Sequence, residues 1–259
     1  LVEFSWSIIS TLTFFSNLFF YFNQEYGAVN GLYKPFLHTW SLSVEEQFYI
    51  IFPFLFYFIY NIFKKNILIV LTFIFFISIF ISDFGSKSFP LATFYFLHSR
   101  IWELLAGTIL AYYELVLGRR SQNKNHKVIF PIIGLILIFL SILFFNNQTR
   151  HPSFITLIPV IGTCLIIWFA DKDYFIGKIL SLKIFVGVGL ISYSMYLWHY
   201  PIFAFSRINS SEPINSYKII LIIFTIFISA LSYHFIEKPF KDKKLLKKKY
   251  FVSIIILSF

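Results

Sequence analysis

The sequence is poor in charged residues and in cysteine. Only 13% of its 259 residues are charged, against roughly 25% in soluble domains. A single cysteine, Cys164, leaves neither a disulfide framework nor a cysteine-based zinc site. Four histidines, His38, His98, His126 and His151, show no metal-ligand spacing with cysteine or carboxylates. We therefore predict no metal site.

Hydrophobic residues, in contrast, are abundant. They make up 58% of the chain, and the mean hydropathy is +0.76, which is typical of a membrane protein. Basic residues outnumber acidic ones by 22 to 12, which gives a net charge of +10. Because the basic residues lie between apolar segments rather than on one face of a soluble fold, membrane topology explains the positive charge better than nucleic-acid binding does.

Apolar segments recur along the chain at lengths that suit a bilayer. Each is close to the roughly 17–25 residues of a transmembrane helix, and none alternates like a barrel strand. The predicted fold is all-α, a polytopic membrane helix bundle with about eight complete transmembrane helices and a partial ninth. The eight segments lie near residues 5–22, 47–63, 66–82, 99–117, 128–145, 154–170, 184–205 and 217–236.

The distribution of lysine and arginine predicts the orientation of the bundle. Alternate connections contain most of the 22 basic residues, among them the run "EKPFKDKKLLKKK". These connections are predicted to face the cytoplasm, because inside loops are enriched in lysine and arginine. The other connections, near residues 23–46, 83–98, 146–153 and 206–216, are then predicted to face outward.

Three groups of polar residues are predicted to lie in the outer half of the bilayer. They are Glu45 with Glu46, Arg100 with Glu103, and Ser192 with Tyr196 and His199. The last three are spaced i, i+4, i+7 and so share one helical face. Ionisable residues at such depths usually face a bundle interior or a water-filled cavity.

The paired glutamates have a structural interpretation as well as a functional one. Ser43 and Glu46 have capping-box spacing, so the pair also fits the first turn of a helix capped by Ser41 or Ser43. Adjacent residues on a helix point about 100° apart. We therefore expect one of Glu45 and Glu46 to face inward while the other caps or meets solvent.

The other polar residues also have two interpretations. Arg100 and Glu103 can neutralise each other at i, i+3 spacing, or Arg100 can bind an anionic group of a substrate. His199 is followed by Pro201, which predicts a helix break that frees polar backbone beside the imidazole; a lone histidine is otherwise more often structural. Glu237, in "SYHFIEKPF", is predicted to pair with the basic residues that follow it.

Five stretches occur in an order typical of one family. They are "LHTWSLSVEEQFYIIFP", "RIWELLAG", "LIPVIGTCLIIW", "SLKIFVGVGLISYSMYLWHYPIFAF" and "SYHFIEKPF". In these stretches the chain resembles the acyltransferase 3 family of bacterial inner-membrane O-acyltransferases, and in particular its O-antigen and peptidoglycan O-acetylase branch. The resemblance implies a bundle in the bacterial inner membrane that transfers an acetyl group from cytoplasmic acetyl-CoA to a hydroxyl of an outward-facing glycan.

The resemblance also implies roles for the polar residues. Glu45, Glu46 and His199 become candidate catalytic residues. Candidate substrate-binding residues are Arg100, Glu103, Ser192 and Tyr196. The implied partners are acyl-CoA, a cell-surface glycan and the lipid bilayer, with no nucleic acid and no metal.

Members of the family typically begin with a span that contains an arginine, ten residues and a histidine, which is the leading candidate for the catalytic base. No such span is found here, so we expect residues 1–249 to be a membrane acyltransferase domain without its first spans. Residues 250–259 are expected to start a further helix, which in many relatives leads to a periplasmic SGNH-type domain. Two alternatives stay open: a transporter or flippase for an anionic or glycan-linked substrate, and an inactive remnant of an acyltransferase.

Overall fold

The computed structural model describes residues 2–23, 29–116, 118, 123–146, 148–209 and 217–241. Every regular element within these ranges is helical, which confirms the predicted all-α class. The predicted start of a further helix at residues 250–259 lies outside the described residues, as does the basic run from residue 242 onward.

The described residues form twelve α-helices. They are α1 (Val2–Leu12), α2 (Ser16–Phe22), α3 (Trp40–Phe63), α4 (Ile67–Ser88), α5 (Pro90–Tyr95), α6 (Leu97–Leu115), α7 (Lys124–Phe144), α8 (Leu157–Phe169), α9 (Phe175–Leu180), α10 (Lys183–Asn209), α11 (Lys218–Ser232) and α12 (Lys238–Lys241). Short 3₁₀ helices cover Val29–Tyr33, Leu37–Thr39, Lys64–Asn66 and Phe154–Thr156, and a π turn, Tyr233–Glu237, joins α11 to α12.

The chain divides into two compact units. The first comprises residues 1–28 and 37–181, and the second comprises residues 29–36 and 182–259. Helices α1 to α9 therefore belong to the first unit, and α10 to α12 belong to the second.

Among the described residues, three helical segments are long and apolar enough to cross a membrane: Leu37–Ser88, Lys124–Phe144 and Lys218–Lys241. The first of them contains both α3 and α4. The protein is accordingly a multi-pass membrane protein. The predicted number of eight complete transmembrane helices stays a prediction.

The first predicted segment, residues 5–22, is not a single helix. Phe14 has a φ of 59° and separates α1 from α2, so the chain turns where continuous hydrophobicity predicted one span. A phenylalanine in the left-handed region is unfavourable because its Cβ crowds the backbone. The carbonyl oxygen of Phe14 accepts a hydrogen bond from Gln47 at 2.8 Å, which helps to hold this turn.

The core of the first unit lies between α3, α4 and α6. Five apolar side chains form it: Phe48, Ile59, Ile67, Leu71 and Leu105. Lipid is as apolar as these side chains, so helices in a membrane associate mainly through close packing and hydrogen bonds. Polar contacts between α4 and α6 are therefore expected to set how these two helices are aligned.

Two serines of α4 provide such contacts at the start of α6. Ser78 Oγ donates a hydrogen bond to the carbonyl oxygen of His98 at 2.7 Å and accepts one from the backbone N–H of Trp102 at 3.3 Å. Ser82 donates to the carbonyl oxygen of Ser99. Both serines are buried. They fix the first turn of α6, from which Arg100 and Glu103 project.

Helices α7 and α8 approach each other closely through two glycines. A Cβ on Gly134 would lie 2.5 Å from the carbonyl oxygen of Gly162, and a Cβ on Gly162 would lie 2.7 Å from that of Gly134. Small residues at a crossing let two backbones touch, as in other membrane helix pairs. This crossing fixes the position of α8.

Gly162→Ala is expected to destabilise the protein. The new methyl group collides with backbone and forces the two helices apart, at a cost of about 1–3 kcal/mol. The measurement is the thermal unfolding midpoint in detergent, with Gly107→Ala as the matched control, because nothing lies within 4 Å of a Cβ at that glycine. An unchanged unfolding midpoint for Gly162→Ala would show that close packing of α7 against α8 at this glycine does not contribute to stability.

Candidate active site

A buried polar network fixes the start of α3. Ser16 and Ser43 share a hydroxyl hydrogen bond of 2.7 Å, and Thr39 donates to Ser16 at 3.1 Å. Asn17 and Gln47 exchange hydrogen bonds of 3.3 and 2.9 Å between their amide groups. These contacts join α2 to α3 and set the rotation of α3 about its axis.

Of the two interpretations that the sequence leaves open for the glutamates, the capped first turn of a helix is wrong. Helix α3 begins at Trp40, five residues before Glu45, and its N-cap residue, Thr39, makes no side-chain capping hydrogen bond. Ser43 lies inside the helix and bonds to α2. The glutamates therefore stand in the second turn, where a capping role does not explain them.

Arg100 lies near the N-terminal end of α6 against two aromatic rings. Its guanidinium carbon is 5.0 Å from the ring centroid of Trp40 and 5.6 Å from that of Phe94, distances at which a cation is attracted to a ring face. Its Nη2 atom lies 3.0 Å from an oxygen of Glu103. The ion pair expected from i, i+3 spacing is therefore present.

Glu45 meets this pair at a small cavity. The cavity has a volume of about 50 Å³, and its wall includes Glu45, Arg100, Glu103, Trp40 and Ser41. That volume holds one or two water molecules or a few atoms of a ligand. Two of the three polar groups predicted in the outer half of the bilayer thus meet in one place.

Glu46 does not line the cavity, although it is the neighbour of Glu45. Glu45 therefore lines the cavity, although the residue is exposed, whereas Glu46 is half-buried. The expectation that one of the two glutamates faces the bundle interior stays a prediction. The sequence could not decide which of them would line the cavity, because the rotation of α3 is set by contacts with α2.

Two atoms of the Arg100–Glu103 pair are buried without a hydrogen bond among the described residues. They are Nη1 of Arg100 and Oε1 of Glu103. An unsatisfied buried polar group is costly, and natural structures rarely keep one without a reason. Here the arrangement offers a donor and an acceptor to a ligand that enters from the cavity.

His151 is a neighbour of this cluster that sequence reasoning missed. Its ring lies 6.0 Å from that of Phe94, the ring that also contacts Arg100. Part of the residue remains exposed, yet desolvation of the imidazole, and secondly the charge of Arg100, lower the pKa of His151 from 6.5 to about 4. His151 lies in a short polar connection that has no helical or strand pattern. The only signal in the sequence was that the residues around it are polar.

Acid is expected to destabilise the protein through His151. Because folding lowers the pKa, the unfolded chain binds the proton first, so this contribution to stability is complete above about pH 6.5 and declines towards about pH 4. His151→Gln is expected to flatten the fall of the unfolding midpoint across that window. His98→Gln is the matched control for loss of an imidazole. An unaltered fall in His151→Gln would exclude His151 as its source.

The third group of predicted residues lies on α10, in the second unit. The rings of Tyr196 and His199 are 5.8 Å apart, and His199 Nδ1 lies 2.7 Å from the carbonyl oxygen of Tyr196. Ser192 donates to the carbonyl oxygen of Gly189 at 2.8 Å. The predicted helical face of two hydroxyls and an imidazole is present.

The helix break expected at Pro201 is absent. Helix α10 runs without interruption from Lys183 to Asn209 with Pro201 inside it. Two contacts with the segment 29–33 support this region, since the Tyr200 hydroxyl donates to the carbonyl oxygen of Gly31 at 3.0 Å and Arg207 donates to that of Leu32 at 3.3 Å. The residue before a proline disfavours the helical conformation, and these tertiary contacts outweigh that preference at Tyr200.

Glu237 has a partner that the sequence did not indicate. It pairs with Lys241, a residue of the basic run, as predicted. Its other oxygen accepts a hydrogen bond of 2.9 Å from Ser194, which is buried on α10. Glu237 therefore also ties α10 to the π turn between α11 and α12.

Most of the chain matches one known protein family. The family described as "Acyltransferase domain" matches residues 3–234, which is most of the chain. The chain belongs to the acyltransferase 3 family. All seven predicted site residues lie within the matched range: Glu45, Glu46, Arg100, Glu103, Ser192, Tyr196 and His199.

Two curated relatives agree with this family membership. The chain is 30% identical over 253 residues to "O-acetyltransferase OatA" of Staphylococcus aureus (strain NCTC 8325 / PS 47), covering 91% of this chain and 41% of the relative. It is 29% identical over 249 residues to "Peptidoglycan O-acetyltransferase OatA" of Listeria monocytogenes serovar 1/2a, covering 90% and 40%. The chain thus spans about two fifths of the length of these relatives. No solved structure matches.

The described residues do not place any three histidine, cysteine, aspartate or glutamate side chains where they could hold a metal ion. The small cavity in the first unit brings together two carboxylates, Glu45 and Glu103, and the guanidinium of Arg100. They are groups that can bind an oxyanion and accept a proton.

Proposed function

We propose that the chain is the membrane part of an O-acyltransferase, which moves an acetyl or other acyl group from acyl-CoA to a hydroxyl of a cell-surface glycan at the bacterial inner membrane. The observation that carries this proposal is the convergence of Glu45, Arg100 and Glu103 on one cavity in a chain of this family. Peptidoglycan is the favoured acceptor over O-antigen, because the Listeria relative is named as a peptidoglycan O-acetyltransferase.

The proposed reaction needs a proton acceptor and a group that stabilises negative charge. The acceptor hydroxyl oxygen attacks the thioester carbonyl carbon, a C–O bond forms, and the C–S bond breaks. The hydroxyl proton passes to a general base and then to the sulfur, so that CoA leaves as a thiol. Negative charge develops on the carbonyl oxygen between these events, and a fixed donor aimed at it lowers the barrier.

We assign to Arg100 the role of stabilising the negative charge on that carbonyl oxygen. Glu103 holds its Nη2 atom at 3.0 Å, and the rings of Trp40 and Phe94 hold its guanidinium plane. Nη1 has no hydrogen-bond partner among the described residues and is left to donate to the substrate. Such a donor is already oriented, so little reorganisation is needed when the charge develops.

We assign to Glu45 a role in removing the proton of the acceptor hydroxyl. Its carboxylate lies on the same cavity wall as Arg100 and Glu103, and it either accepts the hydroxyl proton or orients the group that does. In the second unit, His199 with Ser192 and Tyr196 is assigned to the path of the acceptor, because hydroxyls and an imidazole along one helical face suit a sugar.

The direct test is transfer of label from radioactive acetyl-CoA to peptidoglycan fragments in membranes that contain the chain. The expected product is an acetyl ester, which mild alkali releases, whereas an amide survives the same treatment. Membranes from cells with an empty vector are the control. Folded protein at normal level that yields no alkali-labile label on any glycan acceptor would overturn the proposal.

A further inference from the structure

His151 carries an imidazole that the fold holds in place without giving it a hydrogen-bond partner. The residue lies in the connection between α7 and α8, in the first unit. Neither ring nitrogen makes a hydrogen bond to a described residue, and part of the residue is exposed. A neutral histidine has one donor nitrogen and one acceptor nitrogen, so this side chain can offer both to a ligand.

The backbone that follows His151 is fixed by hydrogen bonds. The N–H of Ser153 donates to the hydroxyl of Thr156 at 3.0 Å, and Ser153 Oγ donates to the carbonyl oxygen of Arg150 at 2.8 Å. The next N–H after Ser153 donates to the carboxylate of Asp83, on α4, at 3.4 Å. Because these contacts hold the connection on itself and on α4, a ligand meets an imidazole whose position is already set.

The imidazole and the guanidinium of Arg100 lie beside the same aromatic ring. The ring centroid of Phe94 is 6.0 Å from that of His151 and 5.6 Å from the guanidinium carbon of Arg100. Arg100 in turn lines the small cavity with Glu45 and Glu103. These distances place His151 and the cavity within reach of a single disaccharide.

The charge state of His151 indicates which chemical group it can bind. Desolvation of the imidazole, and secondly the charge of Arg100, lower its pKa to about 4, so it is neutral at neutral pH. Asp83 on α4 is balanced by Lys87 at 2.9 Å and by the charge of Arg150. A neutral imidazole accepts a hydrogen bond from a hydroxyl, which an imidazolium cannot do. The ligand that fits is therefore uncharged and rich in hydroxyls, as a sugar is.

We propose that His151 binds a hydroxyl of the acceptor glycan and so positions the glycan for transfer at the cavity around Arg100. This proposal rests on the proposed function. The connection that contains His151 is one of those predicted to face outward, the side from which a cell-surface glycan arrives. His151 thereby contributes to recognition of the acceptor, whereas Arg100 and Glu45 act on the reacting atoms.

His151→Ala is expected to raise KM for the glycan acceptor about three- to tenfold, the usual effect of losing a hydrogen bond between uncharged groups. The kcat and the KM for the acyl donor should change little, a split that a merely structural residue would not produce. His151→Asn and His151→Gln each place an amide near one of the two ring nitrogens, so one of them should restore much of the acceptor affinity. His126→Ala is the matched control, because His126 lies on the first turn of α7, beside a basic connection predicted to face the cytoplasm.

Chemical modification measures binding at His151 without any acyl transfer. Diethyl pyrocarbonate modifies neutral imidazole nitrogens, and mass spectrometry follows each histidine of the membrane-embedded chain separately. A peptidoglycan tetrasaccharide at ten times its dissociation constant is expected to slow modification of His151 about tenfold. It should not slow that of His126, and acetyl-CoA should not protect His151.

The possible outcomes keep this proposal apart from the proposed function. Acyl transfer with neither protection of His151 nor a higher KM in His151→Ala would overturn His151 as an acceptor-binding residue and leave the acyltransferase function standing. Protection by the glycan without transfer would support His151 while the proposed function fails. A lower kcat at unchanged KM, or protection by acetyl-CoA alone, would contradict the proposal, and the absence of both protection and transfer would overturn both proposals. If His151→Ala does not fold, protection of the wild-type residue decides.

Discussion

Arg100→Gln is expected to lower the rate of glycan O-acylation about 10²- to 10³-fold, which is the usual cost of removing an oxyanion donor. Glutamine is too short to carry a donor to the position that Nη1 occupies, and it removes the positive charge that the oxyanion requires. Arg100→Lys keeps the charge but loses the planar fork that Glu103 and the two aromatic rings orient, so a large part of the loss should persist. The measurement is the initial rate of acetyl transfer per amount of folded protein.

The variant also leaves Glu103 as a buried carboxylate without its partner, and such a charge destabilises a structure. The double variant Arg100→Gln/Glu103→Gln removes this charge and separates catalysis from folding. It should restore the level of folded protein while transfer stays low. Arg207→Gln is the matched control, because that arginine also lies near an aromatic ring, Phe203, at 6.0 Å. A rate near that of wild type in Arg100→Gln would remove Arg100 from the mechanism.

The helices themselves were largely predictable from hydrophobicity. Apolar runs located α3, α4, α6, α7, α8, α10 and α11, because runs of this length have few stable conformations in lipid. The break at Phe14 was not predictable, since the residues around it are as apolar as a span and the turn is held by Gln47, more than thirty positions away. The residues around Phe14 therefore give no sign of a contact with a residue so far along the chain.

The site was predictable as a set of residues but not as a geometry. Depth along the helices brought Glu45, Arg100 and Glu103 to the same level, and the structure places them around one cavity. The serines before Glu45 suggested a helix cap, but Ser43 bonds to Ser16, 27 positions earlier. His151 was passed over because a search for metal-ligand spacing cannot detect a histidine whose neighbours come from α5 and α6.

Glu45→Gln is expected to lower kcat about 10²-fold or more while KM for the acceptor changes little, which is the cost of losing a general base or the group that orients it. Glutamine preserves the size of the side chain and removes only the negative charge and the ability to accept a proton. Glu45 faces the cavity shared with Arg100 and Glu103, so this change acts where the hydroxyl must lose its proton.

Glu46→Gln is the matched control one position along the same helix. It removes the same charge at the same depth, but Glu46 does not line the cavity, so its effect on kcat should be much smaller. Equal losses in both variants would mean that the carboxylates act through the charge of this helix turn. A larger loss in Glu46→Gln would require that α3 turns to present Glu46 to the substrate. Because the contacts of Ser43 with Ser16 and of Gln47 with Asn17 set the rotation of α3, the pair of variants tests that rotation as well as the chemistry.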